Sequence, residues 1–144
     1  MTGDLTEMTK ISIAEWTDVF AAIGNDERLS IMIVLSGSDY ILHSHMSNGD
    51  NADAGAIEPG CLPFSDIAKA IEASSASRLS YHLSKLLEAN LVCKIPAKDA
   101  KERVFPLYKV TSRWQKFATE FGFNAKIKEY VKHKYPESFY EKAP

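Results

Sequence analysis

The sequence predicts a mainly helical domain carrying a small β-hairpin, and three observations lead to that fold class. Two short amphipathic stretches abut between Phe64 and Val92. Two strand-like runs, Leu91 to Ile95 and Val104 to Val110, flank the charged segment PAKDAKER. Longer stretches on either side carry apolar residues at helical spacing. A chain of 144 residues suits one compact domain, which buries about two-thirds of the surface its unfolded chain exposes.

The elements follow in chain order. Residues 1–10 read as a polar tail, and a domain is expected over 11–122. Ser12 and Glu15 have the spacing of a capping box, and Trp16, Val19, Phe20 and Ile23 recur on one face behind them, so a helix is expected to open there. Asn25 with the acidic pair Asp26-Glu27 marks the start of a second helix. Its Leu29, Ile31, Met32, Ile33, Val34 and Leu35 are apolar nearly all round, which is the pattern of a core helix. The segment 38–60 has no Lys or Arg but contains Asp39, Asp50, Asp53 and Glu58, and reads as a long acidic loop inserted in the domain.

Ser65-Asp66 offers a cap and an acidic first turn to a short helix bearing Ile67, Ala68, Ala70 and Ile71. A small, serine-rich connection follows, in which Ser74 or Ser75 caps the next helix. There Leu79, Leu83, Leu86 and Leu87 form the buried face, and Asn90, which tolerates a left-handed backbone, closes it. Pro106 in the second hairpin strand removes a ladder donor, so a bulge or an unpaired stretch is expected there. After the hairpin Thr111 caps a helix with Trp114, Phe117, Ala118 and Phe121. A helical tail over 123–144 shows Ile127, Tyr130 and Val131 in the same rhythm.

Two helices at this spacing, the second with a free polar face, form a helix-turn-helix, and the hairpin behind them reads as a wing. The free face holds Ser77, Arg78, Ser80, Tyr81, Ser84 and Lys85, short hydroxyls and cations able to meet phosphate oxygens and base edges in a major groove. Arg78, near the helix start, is the strongest base-reading candidate, because a guanidinium can grip a guanine edge with two hydrogen bonds. Tyr81 can stack, cover the helix or bond a phosphate, and the phosphate contact is favoured. His82, on the border of the two faces, can bind a phosphate or satisfy a neighbouring carbonyl. With Ser75 at the helix start and Lys98, Lys101 and Arg103 in the hairpin loop, these residues make up the expected DNA-binding set. Arg28 is assigned a structural role.

Charge supports the same surface. The net charge of −2 divides unevenly: residues 1–73 hold three Lys/Arg against twelve Asp/Glu, and residues 74–144 hold fourteen against seven. The basic half contains the second helix of the pair and the hairpin, where phosphate attraction is needed. Other classes fit poorly. The longest apolar run, Ile31 to Leu35, is far too short for a bilayer, and the start MTGDLTEMTK lacks the features of a signal peptide, so a cytoplasmic location is expected. Cys61 and Cys93 lack paired spacing, so no disulfide is expected. Neither a nucleophile elbow nor a phosphate loop nor a zinc-hydrolase spacing is present, so no enzyme and no cofactor are expected. His43, His45, Asp50, Asp53 and Cys61 can be imagined as metal ligands but match no specific motif, so no metal site is assigned.

Between Trp16 and Phe121 the chain resembles the ArsR-type winged helix-turn-helix regulators and their archaeal relatives. The resembling residues are Ala22-Ile23-Gly24-Asn25-Asp26-Glu27-Arg28-Leu29, Asp66-Ile67-Ala68, Leu79-Ser80-Tyr81-His82-Leu83 and Leu87-Glu88-Ala89-Asn90-Leu91-Val92. Two departures stand out: Cys61 is single where metal-sensing members carry a cysteine pair, and Asn90 replaces a common glycine. The resemblance implies a winged helix-turn-helix fold, a dimeric state and binding to double-stranded DNA, and the aromatic stripes place the dimer contact on the N- and C-terminal helices. Trp16, Phe20, Trp114, Phe117 and Phe121 are the expected dimer contacts, because one small domain has little room to bury both aromatic stripes; the alternative is that Trp16 and Trp114 pack within one protomer. The functional expectation is a dimeric repressor acting on an inverted-repeat operator. The alternatives are a winged-helix protein-interaction module and a metal-responsive regulator using the His/Asp insertion.

Overall fold

The computed structural model describes residues 2–38 and 60–135, with side chains from residue 13 onward. Six helices and three strands are present among them: α1 (Thr2–Ile23), α2 (Asp26–Gly37), β1 (Cys61–Pro63), α3 (Phe64–Ala70), α4 (Ala76–Glu88), β2 (Val92–Lys98), β3 (Val104–Val110), α5 (Ser112–Glu120) and α6 (Phe123–Lys134). Apart from Ser38 and Gly60, the acidic segment with His43, His45, Asp50 and Asp53 lies outside the described residues.

Local chemistry explains most helix boundaries. Asn25 Oδ1 accepts from the Glu27 and Arg28 N–H groups at 2.9 and 3.2 Å, opening α2 as its sequence requires. Ser75 Oγ accepts from Arg78 N at 3.1 Å to open α4, and Thr111 Oγ1 accepts from Trp114 N at 3.3 Å to open α5. Both α3 and α4 end in a Schellman motif. Ala73 N bonds Ala68 O and Glu72 N bonds Lys69 O, while Leu91 N bonds Leu86 O and Asn90 N bonds Leu87 O. The left-handed positions are Glu72 at φ 53° and Asn90 at φ 58°.

Three starts and stops differ from expectation. Helix α1 runs unbroken through Ser12 from Thr2, so no helix starts at the Ser12/Glu15 pair. Helix α3 starts at Phe64 with Pro63 as its cap residue and no side-chain cap bond, because β1 runs directly into it and leaves Ser65 inside the first turn. Pro106 causes no bulge. The β2–β3 register is continuous and sets Pro96 opposite Pro106. Bonds from Thr111 N to Leu91 O and from Asp99 N to Arg103 O, both 3.0 Å, fix the odd-numbered pairs as hydrogen-bonded. The two prolines therefore face each other where neither N–H is used. Pro106 N points to the other side of β3, beyond the last pair with β1, Pro63 with Leu107.

The sheet is antiparallel with order β1-β3-β2. Cys61 and Cys93 both pair with Lys109, one on each side of β3. Two strand spacings, about 9.6 Å, separate them, too far for a disulfide. One contiguous core joins all six helices to the sheet, with Ile31, Met32 and Leu35 of α2 at its centre, Leu79, Leu83 and Leu86 from α4, and Leu62 from β1. Helix α6 belongs to this core, since its Ile127 and Val131 are buried in it.

The aromatic stripes also pack within the protomer. Trp114 is 1% and Phe117 3% exposed, and Trp114 Nε1 donates to Ser36 Oγ at 2.7 Å, so these two expected dimer contacts are core residues. Half-buried Trp16 meets Phe121 edge-on at 5.1 Å, and Phe20 meets Phe117 and Phe121 at 5.1 and 5.3 Å. Of the five expected contacts, only Phe20, Phe121 and part of Trp16 keep surface that a partner could reach.

Candidate nucleic-acid interface

Helix α4 presents the surface that its sequence pattern implies. The leucine face turns into the core, and Ser77, Arg78, Ser80, Tyr81, Ser84 and Lys85 lie exposed. Tyr81 is 54% exposed, and Lys85 Nζ stands 5.5 Å from its ring centroid while facing Glu88 at 3.7 Å. Ser75 is exposed as well. Its oxygen is occupied as the cap acceptor, which leaves its O–H to donate.

His82 is the exception. It is only 5% exposed and belongs to a chain of contacts beneath the free face, set back from where a phosphate would lie, and it has no carbonyl partner among the described residues. Arg28 Nε donates to Ala22 O at 2.6 Å, and Arg28 Nη1 approaches His82 Nδ1 at 3.4 Å. Because Nδ1 must accept from a guanidinium, the hydrogen is assigned to Nε2, which meets Glu27 Oε2 at 3.3 Å. The other oxygen of Glu27 receives Arg78 Nε at 2.7 Å. The structural role expected for Arg28 is thus filled by a carbonyl and an imidazole rather than an ion pair. Arg78 remains 60% exposed at the end of the chain. An exposed pair of this kind contributes ~0–1 kcal/mol to stability.

The hairpin loop is held by Asp99. Its Oδ1 accepts from the Lys101 and Arg103 N–H groups, both at 2.9 Å, and its Oδ2 accepts from Arg103 Nε at 2.8 Å. The Arg103 N–H, then the Arg103 guanidinium and the Lys101 N–H, hold the Asp99 carboxyl below the usual carboxylate range against an opposing desolvation. Arg103 is therefore partly neutralised. The Lys98 and Lys101 side chains are exposed and have no charged partner among the described residues.

Two contributors are absent from the sequence-derived set. Lys94 is exposed on β2 and shares an alternation with Lys98, a signal that period-two reading of the strand provides. Glu27 read as an acidic first-turn residue of α2, and no local pattern couples it to Arg78. A cavity of about 310 Å³ elsewhere, between α2, α5 and α6, is lined by Leu29, Ile33, Trp114, Phe123, Ile127 and Tyr130, with Lys126 at its edge.

The fold and this surface define a helical domain with a small three-stranded sheet and an exposed hydroxyl-and-cation helix. Residues 16–95, more than half of the chain, match the family described as Domain of unknown function (DUF7347), and the chain belongs to that family. The match covers the last third of α1, then α2, β1, α3, α4 and the start of β2. No curated protein matches the chain. No described helix is long and apolar enough to cross a membrane.

Proposed function

We propose that the chain is a winged helix-turn-helix DNA-binding regulator, with α3 and α4 as the helix pair, α4 as the recognition helix and the β2–β3 hairpin as the wing. The observation that carries this reading is the open side of α4: six polar or cationic side chains at helical spacing, all exposed, next to a hairpin whose Lys98 and Lys101 face solvent. Lysines and hydroxyls there supply phosphate contacts, and Arg78 reads a base edge.

The protein acts as a homodimer and represses by occluding a promoter. Support for the dimer comes from Ile13, Phe20 and Phe121, large apolar side chains left exposed on α1 and at the end of α5. A two-fold axis through them would set two recognition helices against an inverted repeat. The role is binding rather than catalysis.

The test is duplex affinity of the full chain across a range of salt, using a duplex recovered by selection from a random-sequence library and a random-sequence competitor. The logarithm of the association constant should fall linearly with the logarithm of salt concentration, and the recovered duplex should displace the competitor. Affinity that ignores salt, or that shows no sequence preference, rejects the reading. Such a result would favour a protein-interaction module, for which the apolar groove bearing Leu29, Ile33 and Tyr130 is the supporting feature.

A further inference from the structure

We infer that Glu27 is a positioning residue for Arg78, holding its guanidinium in one orientation for DNA and thereby trading nonspecific affinity for sequence selectivity; this rests on the DNA-binding reading. The geometry is specific. Glu27 Oε1 lies 2.7 Å from Arg78 Nε, an ion pair made at the inner nitrogen, and no hydrogen bond from either Nη group is found among the described residues. Those two groups are the pair that a guanine edge or a phosphate can grip end-on.

The carboxylate cannot swing freely either. Its second oxygen faces His82 Nε2 at 3.3 Å, and that imidazole is buried and backed by Arg28, whose Nε is tied to Ala22 O at the end of α1. A rigid chain from α1 through α2 thus ends at the one guanidinium on α4. A flexible arginine at this position would make contact with phosphates on any sequence. A fixed one presents its fork in a single place, so a wrong base leaves it unsatisfied. The negative charge of Glu27 also subtracts from phosphate attraction, which weakens binding to all duplexes alike.

Three variants separate charge from reach. Glu27→Gln keeps an acceptor for His82 but loses the charge. Its binding to random duplex should tighten several-fold, its salt slope should steepen by about one, and its preference for the selected duplex over random should fall about fivefold or more. Glu27→Asp keeps the charge but shortens the reach, so its salt slope should stay at the wild-type value while the preference falls. In an Arg78→Ala background Glu27→Gln should leave the preference unchanged. Thermal melts confirm that each variant is folded, and the Glu27→Asp comparison stands if Glu27→Gln does not fold. An unchanged preference in Glu27→Asp, equal tightening of both duplexes in Glu27→Gln, or the same loss without Arg78 overturns the inference. Wild-type protein that prefers no duplex removes the DNA-binding reading itself, and this inference with it.

Discussion

Gly37, the last residue of α2, sits where the core has no room for a side chain. A Cβ built on it would meet Val131 Cγ2 of α6 far inside van der Waals contact, with Val131 Cβ at 3.6 Å and Ile127 Cγ2 at 3.7 Å. Val131 is buried and β-branched, so its χ1 cannot rotate away without striking other core atoms. Overpacking of this kind costs about 1–3 kcal/mol, and the helix-propensity gain of alanine over glycine offsets up to ~1 kcal/mol. Gly37→Ala should therefore destabilise by ~1–2 kcal/mol, lowering the melting temperature by about 3–8 °C for a domain of this size. Chemical denaturation with a two-state fit gives the free energy directly. The partner variant sharpens the test. Val131→Ala alone should cost ~1–3 kcal/mol, but combined with Gly37→Ala the added methyl fills the vacated space, and the double variant should be more stable than additivity allows by about 1–2 kcal/mol. Additive effects, or a Gly37→Ala protein as stable as wild type, would refute the close α2–α6 packing.

Other outcomes follow from the same structure. Glu72 closes α3 in a left-handed conformation that costs a side-chain-bearing residue about 1 kcal/mol, so Glu72→Gly should raise the melting temperature by roughly 2–4 °C; a lowered value would contradict the Schellman geometry. Replacing Lys98 and Lys101 together with alanine should weaken binding to every duplex alike and reduce the salt slope by about two, whereas a change in sequence preference would place these lysines on bases rather than phosphates. Asp99 has a depressed folded-state pKa, so its stabilisation of the hairpin loop is present above the unfolded value of 3.8 and is lost as pH falls through the lower folded value. Protection of the Lys101 and Arg103 amides, taken as exchange relative to the intrinsic rate at each pH, should fall only in that acid window, and Asp99→Asn should abolish this pH dependence; protection that falls identically in the variant would rule Asp99 out as the cause.

What could be read from the sequence was what short-range chemistry decides. The leucine period of α4, the Asn25, Ser75 and Thr111 caps and the left-handed Asn90 each follow from side chains within a few residues of one another, and each is found as expected. Long-range partners were not legible. Strand β1 is three residues with no alternation, and it exists because Cys61 to Pro63 pair with Lys109 to Leu107. The aromatic stripes of Trp114 and Phe117 marked an apolar face, but periodicity does not say whether that face meets its own core or another copy. Pro106 lacks a donor whatever its surroundings, but whether that breaks a ladder bond depends on which side of β3 its nitrogen faces. Within the candidate site the exposed face of α4 was readable. The tie between Glu27 and Arg78, and the burial of His82 beneath it, were not, because these contacts depend on how α2 crosses α4.

The most direct test maps the surface of the full chain by backbone amide NMR as a selected duplex is added. Shifts should concentrate at Ser77, Arg78, Ser80, Tyr81 and Ser84 and along Lys98 to Arg103, with α6 and the buried face of α4 undisturbed. Perturbations confined to α1 or α6, with those two stretches silent, would show that the open side of α4 is not where this protein meets DNA.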